Sequence, residues 1–259
     1  MLAAKGPVLK FERGLSAETC FLVRTPIEKA IGILKSWTPV GHPSLNVAAH
    51  GAVSHPPTGH DFQKLGMQGA RLPEAPEKTA DRAGYWTALL RKQAVDFQSG
   101  GLEALAPYSA ADGKSIAGKD EAAQLLQELP KLKRYFAPIL KSSGIGSRPS
   151  DAACYWEFVA EEDNPSLILG AVTTTPANGG WQALDLQYYA SSGFIVGMTF
   201  YQLWPIRVGG TDCTLVWRCN AVSAPEVATL GEVERRMAGV AYKNRVRKYA
   251  EALREALQP

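Results

Sequence analysis

From residue 152 onward, apolar runs and turn clusters alternate so regularly that few architectures can accommodate the chain. Ala153 to Ala160 precedes the turn Glu161-Glu162-Asp163-Asn164-Pro165, and Ser166 to Thr174 precedes a turn around Asn178-Gly179-Gly180. Trp181 to Tyr189, Phe194 to Trp204 and Cys213 to Ala221 follow, separated by Ser191-Ser192-Gly193 and by Gly209-Gly210. Connections this short leave no room for a crossover, so the runs read as antiparallel neighbours in a five-strand meander. Ser223-Ala224-Pro225-Glu226 then reads as a capping box that opens a helix to about Leu257, with Leu230, Val233, Met237 and Ala241 at core spacing.

The first half is organised differently. Residues 18 to 24 form a short strand, and Thr25-Pro26-Ile27-Glu28 reads as a helix start, with Thr25 as cap and Pro26 at the first helical position. Ile27, Ala30, Ile31, Leu34 and Trp37 make its apolar face, and Leu45 to Val53 alternates like a second strand. Helical pieces follow at Glu77 to Ser99, Lys119 to Leu129 and Lys131 to Ala137, divided by Gly100-Gly101, Pro130 and Pro138. The reading is one domain over residues 1–259 with a helical insert at about 76–142.

Bulk composition excludes several classes. A formal charge of +3 is too small for a nucleic-acid footprint, so no nucleic-acid partner is expected. No apolar run approaches the roughly 20 residues of a membrane span, which predicts a soluble chain. The compartment stays open, export with a removed signal peptide included. Cys20, Cys154, Cys213 and Cys219 show neither a disulfide framework nor Cys-x-x-Cys spacing. His42, His50, His55 and His60 cluster in a Pro-rich loop region without ligand-pair spacing, and neither a nucleophile elbow nor a phosphate-cradling loop occurs. Neither metal nor cofactor is expected.

A strand followed at once by a Thr-Pro-x-Glu-Lys-Ala helix, then a meander ending in one long helix, resembles the START-like helix-grip superfamily (SRPBCC type) of lipid-transfer proteins and polyketide cyclases. The resemblance covers roughly residues 18 to 56 and 153 to 257. It implies an α+β fold in which an antiparallel meander grips the C-terminal helix and an apolar ligand lies between them. It carries no catalytic residue to this chain.

That resemblance makes a hydrophobic small molecule or lipid the expected partner, bound without catalysis. The rivals are a cyclase or hydrolase on the same scaffold, using Asp185 or Glu157 as acid or base, and an interaction module whose cavity its own aromatics fill. Candidate ligand contacts are Trp156, Tyr189, Phe200, Trp204 and Met237 for the apolar wall, with Asp185 and Arg218 as polar anchors. Plain core packing competes for the aromatics. In Trp181 to Tyr189 both faces carry bulky residues, so the sheet needs cover on both, from the C-terminal helix and from the insert. Arg218 shares a strand face with Thr214, Val216 and Asn220, and points into the cavity only if Trp217 and Cys219 face the insert helices. Arg235, Arg236, Lys243, Arg245, Arg247 and Lys248 form a basic run that suits either solvent or transient contact with an anionic membrane surface.

Overall fold

The computed structural model describes residues 3–5, 9–68, 71–75, 79–109, 113, 115–162 and 164–258. The expected turn residue Asp163, helix start Glu77 and insert boundary Pro76 lie outside them. The elements are β1 (Ala3–Lys5), β2 (Gly14–Val23), α1 (Ile27–Ser36), β3 (Val47–Ala52), α2 (Arg82–Gly100), β4 (Tyr108–Ser109), β5 (Ser115–Ile116), α3 (Gly118–Glu128), α4 (Pro130–Tyr135) and α5 (Ala137–Leu140). The meander follows as β6 (Ala153–Val159), β7 (Ser166–Ala177), β8 (Gly180–Ala190), β9 (Val196–Val208) and β10 (Thr211–Ser223), and α6 (Glu232–Leu257) comes last.

All neighbours in the main sheet pair antiparallel, in the order β1-β2-β10-β9-β8-β7-β6-β3. The meander is joined by tight turns, such as Asn178-Gly179, where φ values of 53° and 73° give the two left-handed residues that a twisted hairpin favours. Pro205 is tolerated in β9 because it pairs with Thr214 of β10 beyond Leu203, the last β9 residue to pair with β8.

Successive side chains of a strand point to opposite faces, and here both faces are covered. On one face Trp156, Phe158, Leu169, Leu184, Leu186 and Phe200 join Leu90, Phe97, Leu125 and Phe136 of the insert helices in one buried cluster. On the other, Phe21, Tyr201, Leu203 and Val216 pack with Ile27, Ile31 and Leu34 of α1 and with Ala250, Leu253 and Leu257 of α6. The sheet is therefore held between the insert and the α1–α6 layer, a START-like helix-grip α+β fold with helical insertions.

The cap expected at Thr25 and the capping box expected at Ser223 are both replaced by other contacts. Pro26 occupies the cap position of α1 without a side-chain bond, and the Thr25 hydroxyl donates instead to the carbonyl of Leu257. Thr25 thereby ties the entry of α1 to the exit of α6, while its own carbonyl accepts from the Thr214 hydroxyl at 2.6 Å. Pro225 opens only a 3-10 turn, Pro225–Thr229, and the Ser223 hydroxyl donates to Glu121 of α3. The long helix begins later: Glu234 accepts from Gly231 N at 2.9 Å and caps its first turn. Consequently Val233 and Met237, expected at core spacing, are 71% and 67% exposed. Only the second half of α6 reaches the core, through Val246, Ala250, Leu253 and Leu257. In the insert, Asp81 caps α2 by accepting from Gly84 N at 2.8 Å, and Pro130 opens α4. Among the described residues, no helix is long and apolar enough to cross a membrane.

Candidate functional site

Between the α6 side of the sheet and α6 itself lies a cavity of about 750 Å³, well within the range of small-molecule sites. The sheet lines it with alternate residues of its central strands: Tyr155 and Glu157 of β6, Asp185 and Gln187 of β8, Thr199 and Tyr201 of β9, and Arg218 and Asn220 of β10. The first half of α6 covers it with Ala238, Ala241, Tyr242 and Arg245, followed by Val246 and Tyr249. Apolar wall comes from Leu34 and Trp37 at the end of α1, Ile168 and Val172 of β7, and Phe194 before β9.

Strand parity decides which candidates reach this space. Trp217 stacks on Phe136 with ring centroids 6.0 Å apart, and Cys219 is buried in the insert-side core, so Arg218 on the alternate parity points into the cavity. Asp185 does so too, because Leu184 and Leu186 on either side belong to the insert-side core. The five apolar candidates are seated elsewhere. Trp156 is fully buried on the insert side, where its indole N–H donates to Asp61 O at 2.7 Å. Phe200 packs 5.1 Å from the ring of Phe136, and Tyr189 lies against the same insert-side core. Trp204 stands past the last β8–β9 pair, and Met237 faces outward from α6. None of these five lines the cavity.

The polar floor is held by close packing. A Cβ on Gly170 would lie 2.3 Å from Tyr155 Cζ, so the absence of a side chain there lets Tyr155 lean across β7. Its hydroxyl donates to Asp185 Oδ1 at 2.8 Å, and its ring stacks on His50 with centroids 5.4 Å apart. Gly170→Ala is expected to displace Tyr155 and cost about 1–3 kcal/mol, as overpacking does; an unchanged denaturation midpoint would show that Tyr155 has another seat.

Burial dominates the electrostatics of the site. It pushes the Glu157 carboxyl up to about 8, with Asp185 adding to the shift and Arg245 opposing it. It pushes Asp185 up to about 6 against the pull of the Tyr155 hydrogen bond and of Arg218. Burial also raises the Tyr201 phenol to about 12, with Arg218 opposing. Burial and the Lys64 ammonium lower the His50 imidazole. Arg218 is 3% exposed, and its Nε has no hydrogen-bond partner. Its guanidinium lies 5.3 Å from the centroid of Tyr201, and no carboxylate among the described residues is within 4.0 Å of it. Asn220 donates to Thr199 Oγ1 at 2.7 Å while its own Oδ1 has no partner.

Glu157 was named from the sequence only as the acid or base of a rival enzyme, and Tyr155, Tyr201, Asn220 and Arg245 were not singled out as ligand contacts. Their signal was parity, since each shares a face with Asp185 or Arg218 or lies on the helix facing them. The basic run of α6 is largely engaged: Arg235 donates to Leu9 O and Phe11 O at 3.0 and 2.6 Å, Arg236 pairs with Glu232, Arg245 with Glu161 and Arg247 with Glu251. Among the described residues, no group of three or more His, Cys, Asp and Glu is arranged to hold a metal. Of the expected loop histidines, His42 contacts Glu255 at 3.2 Å and His55 contacts Gln98.

No family model and no curated protein matches this sequence. Among solved structures, a START superfamily protein from Mycobacterium smegmatis aligns over 93% of this chain and 96% of its own, at 12% identity and a TM-score of 0.39. What makes the present fold START-like is internal to it: the antiparallel strand order and the seat of α6 across one face of the sheet.

Proposed function

We propose that the protein binds and carries a hydrophobic small molecule or lipid in the cavity between sheet and α6, without covalent chemistry, and that residues 1–259 act as one domain. The observation that carries this reading is Arg218, a 3% exposed guanidinium with an unpartnered Nε at the floor of a 750 Å³ cavity. A buried charge left without partners costs several kcal/mol, and an oxygen acceptor on a bound ligand removes that cost. The apolar wall from Leu34, Trp37, Ile168, Val172 and Phe194 suits the rest of such a molecule. Asp185 and Arg218 are then the polar anchors, and most meander aromatics are core and do not fill the cavity.

Native mass spectrometry followed by solvent extraction of the purified protein tests the reading. A stoichiometric apolar compound is expected, retained unchanged on incubation. Its loss in Arg218→Gln and Asp185→Asn, with folding intact by circular dichroism, is the matching expectation. Wild-type retention in both variants would remove these residues as anchors. Conversion of the extracted compound would favour the acid–base enzyme, a reading supported by the raised Glu157 and Asp185 carboxyls.

Delivery at an anionic membrane surface belongs to the same proposal. Val233, Met237 and Val240 share the exposed face of α6, with Lys248 on the same side. Met237→Glu is expected to weaken cosedimentation with phosphatidylserine vesicles several-fold. Unchanged cosedimentation would exclude this face.

A further inference from the structure

Among the described residues, Glu157 joins Arg218 as a buried charge without a direct partner. Glu121 is held by Arg13 at 2.7 and 2.8 Å and by Ser223, and Asp185 by the Tyr155 hydroxyl. Glu157 is 6% exposed, lines the cavity, and has neither a hydrogen bond nor an ion pair among the described residues. Among the described residues no cation pairs with it directly. Across the ladder it pairs with His50 of β3, whose protonation burial and Lys64 disfavour, while the Lys64 ammonium donates to His50 O at 3.1 Å. From α6 come Tyr249 and Arg245, and Arg245 is drawn to Glu161 at 3.2 Å. On the same strand is Tyr155, from β9 comes Tyr201, and from β8 comes a second carboxyl, Asp185. Arg218 is on β10, and β8 with Asp185 lies between it and β6.

We propose that the carried ligand bears a protonated amine, seated between Glu157 of β6 and Asp185 of β8. The inference rests on the carrier reading and specifies its ligand. Two carboxyls facing one enclosed space oppose each other's ionisation, and a cation placed between them removes that opposition. An ammonium also brings several donors, against the single donor of an alcohol, to a seat where the Glu157 carboxyl accepts no hydrogen bond among the described residues. Aromatic rings complete the seat: Tyr155 and Tyr249 line the cavity, and Trp37 packs edge-on to Tyr249 at 6.3 Å. Ring faces attract desolvated cations. Binding then holds Glu157 ionised, and the proton that the empty site keeps is released to solvent.

The test uses three probes of equal chain length, decylamine, decanol and decanoate, the two ionic probes below their micelle concentrations and decanol below its solubility limit. They are titrated calorimetrically into the delipidated full-length protein at about pH 7.5, in phosphate and in Tris. Decylamine is expected to bind roughly tenfold tighter than decanol or better. Its heat should differ between the buffers by most of one proton released. In Glu157→Gln, with folding intact by circular dichroism, the preference for decylamine over decanol and the proton release should both vanish. Decanol bound without amine preference would overturn the ammonium seat and leave the carrier reading standing. Decanoate as the tightest probe would overturn it by placing an anion on Arg218. Failure of all three to bind would remove both readings together.

Discussion

Glu157→Gln is expected to stabilise the ligand-free protein at about pH 8 by a few kcal/mol, and to change it little near pH 4.5. The carboxyl titrates at about 8 in the folded protein against 4.5 for an ordinary glutamate. Below 4.5 the proton is bound in both states and the residue is indifferent to folding. Between those values the unfolded chain has lost the proton and the folded chain has kept it, so stability falls by about 1.4 kcal/mol per pH unit through this one group. Above about 8 both states are ionised and the full cost of a buried carboxylate is present. Glutamine keeps the shape without a charge to ionise, so the variant's profile should be flatter across this window. Urea denaturation at several pH values, on delipidated protein, measures the difference directly. Parallel wild-type and variant profiles would mean that Glu157 meets solvent or a cation, and would also weaken the case for an ammonium seat. Asp185 acts in the same direction over a lower window, ending near 6, because its carboxyl too is raised.

The amino-acid sequence made the layer order legible and the cavity wall only partly so. Alternation in β8 placed Leu184 and Leu186 opposite Asp185 and Gln187, and once both faces carry bulk, a two-sided cover follows from geometry alone. The same parity separated Arg218 from Trp217 and Cys219, leaving two orientations that only the packing of Phe136 on Trp217 decides. Large aromatics were the weak signal. Trp156 and Phe200 are as apolar as a pocket wall and as apolar as a core, and their hydrophobicity does not say which layer they face. Had Trp156 been assigned to the insert side, Tyr155 and Glu157 would have followed into the cavity by alternation.

Helix periodicity failed for a related reason at Met237. A 3.6-residue pattern identifies a face of α6 but not what lies beneath it. The first half of the helix crosses the cavity, where Ala238, Ala241 and Tyr242 line the space and Val233, Met237 and Val240 are left outside. The expected caps misled because Thr25 and Ser223 found tertiary acceptors, the Leu257 carbonyl and Glu121, which no local pattern records. Side-chain hydroxyls choose between local and long-range acceptors according to what the fold brings near.

Phe97→Ala is expected to destabilise the whole chain by about 3–5 kcal/mol, in one transition and not in two. Phe97 of α2 is fully buried and stacks on Tyr188 of β8 with centroids 3.8 Å apart and planes within 2° of parallel. The next residue, Gln98, donates to Ser54 O at 2.9 Å and contacts His55, so this turn of α2 is bound to the chain just past β3 as well as to the sheet. The space left by the ring cannot collapse easily, because Gly144, between α5 and β6, presses on it: a Cβ there would stand 2.5 Å from Phe97 Cζ. Loss of transfer energy and a residual cavity therefore add. If the insert and the sheet share a core, as the joint cluster of Leu90, Phe97, Leu125, Leu184 and Phe200 indicates, sheet and insert must melt together. Tryptophan fluorescence from Trp86 of α2 and Trp156 of β6 and far-UV circular dichroism should then report one midpoint, lowered by roughly 10 °C. Val95→Ala, two residues away on an exposed position, supplies the control and should stay near wild type. Two separated transitions, with the sheet midpoint unmoved, would make the insert a module of its own and would leave the second face of the sheet to be stabilised without it.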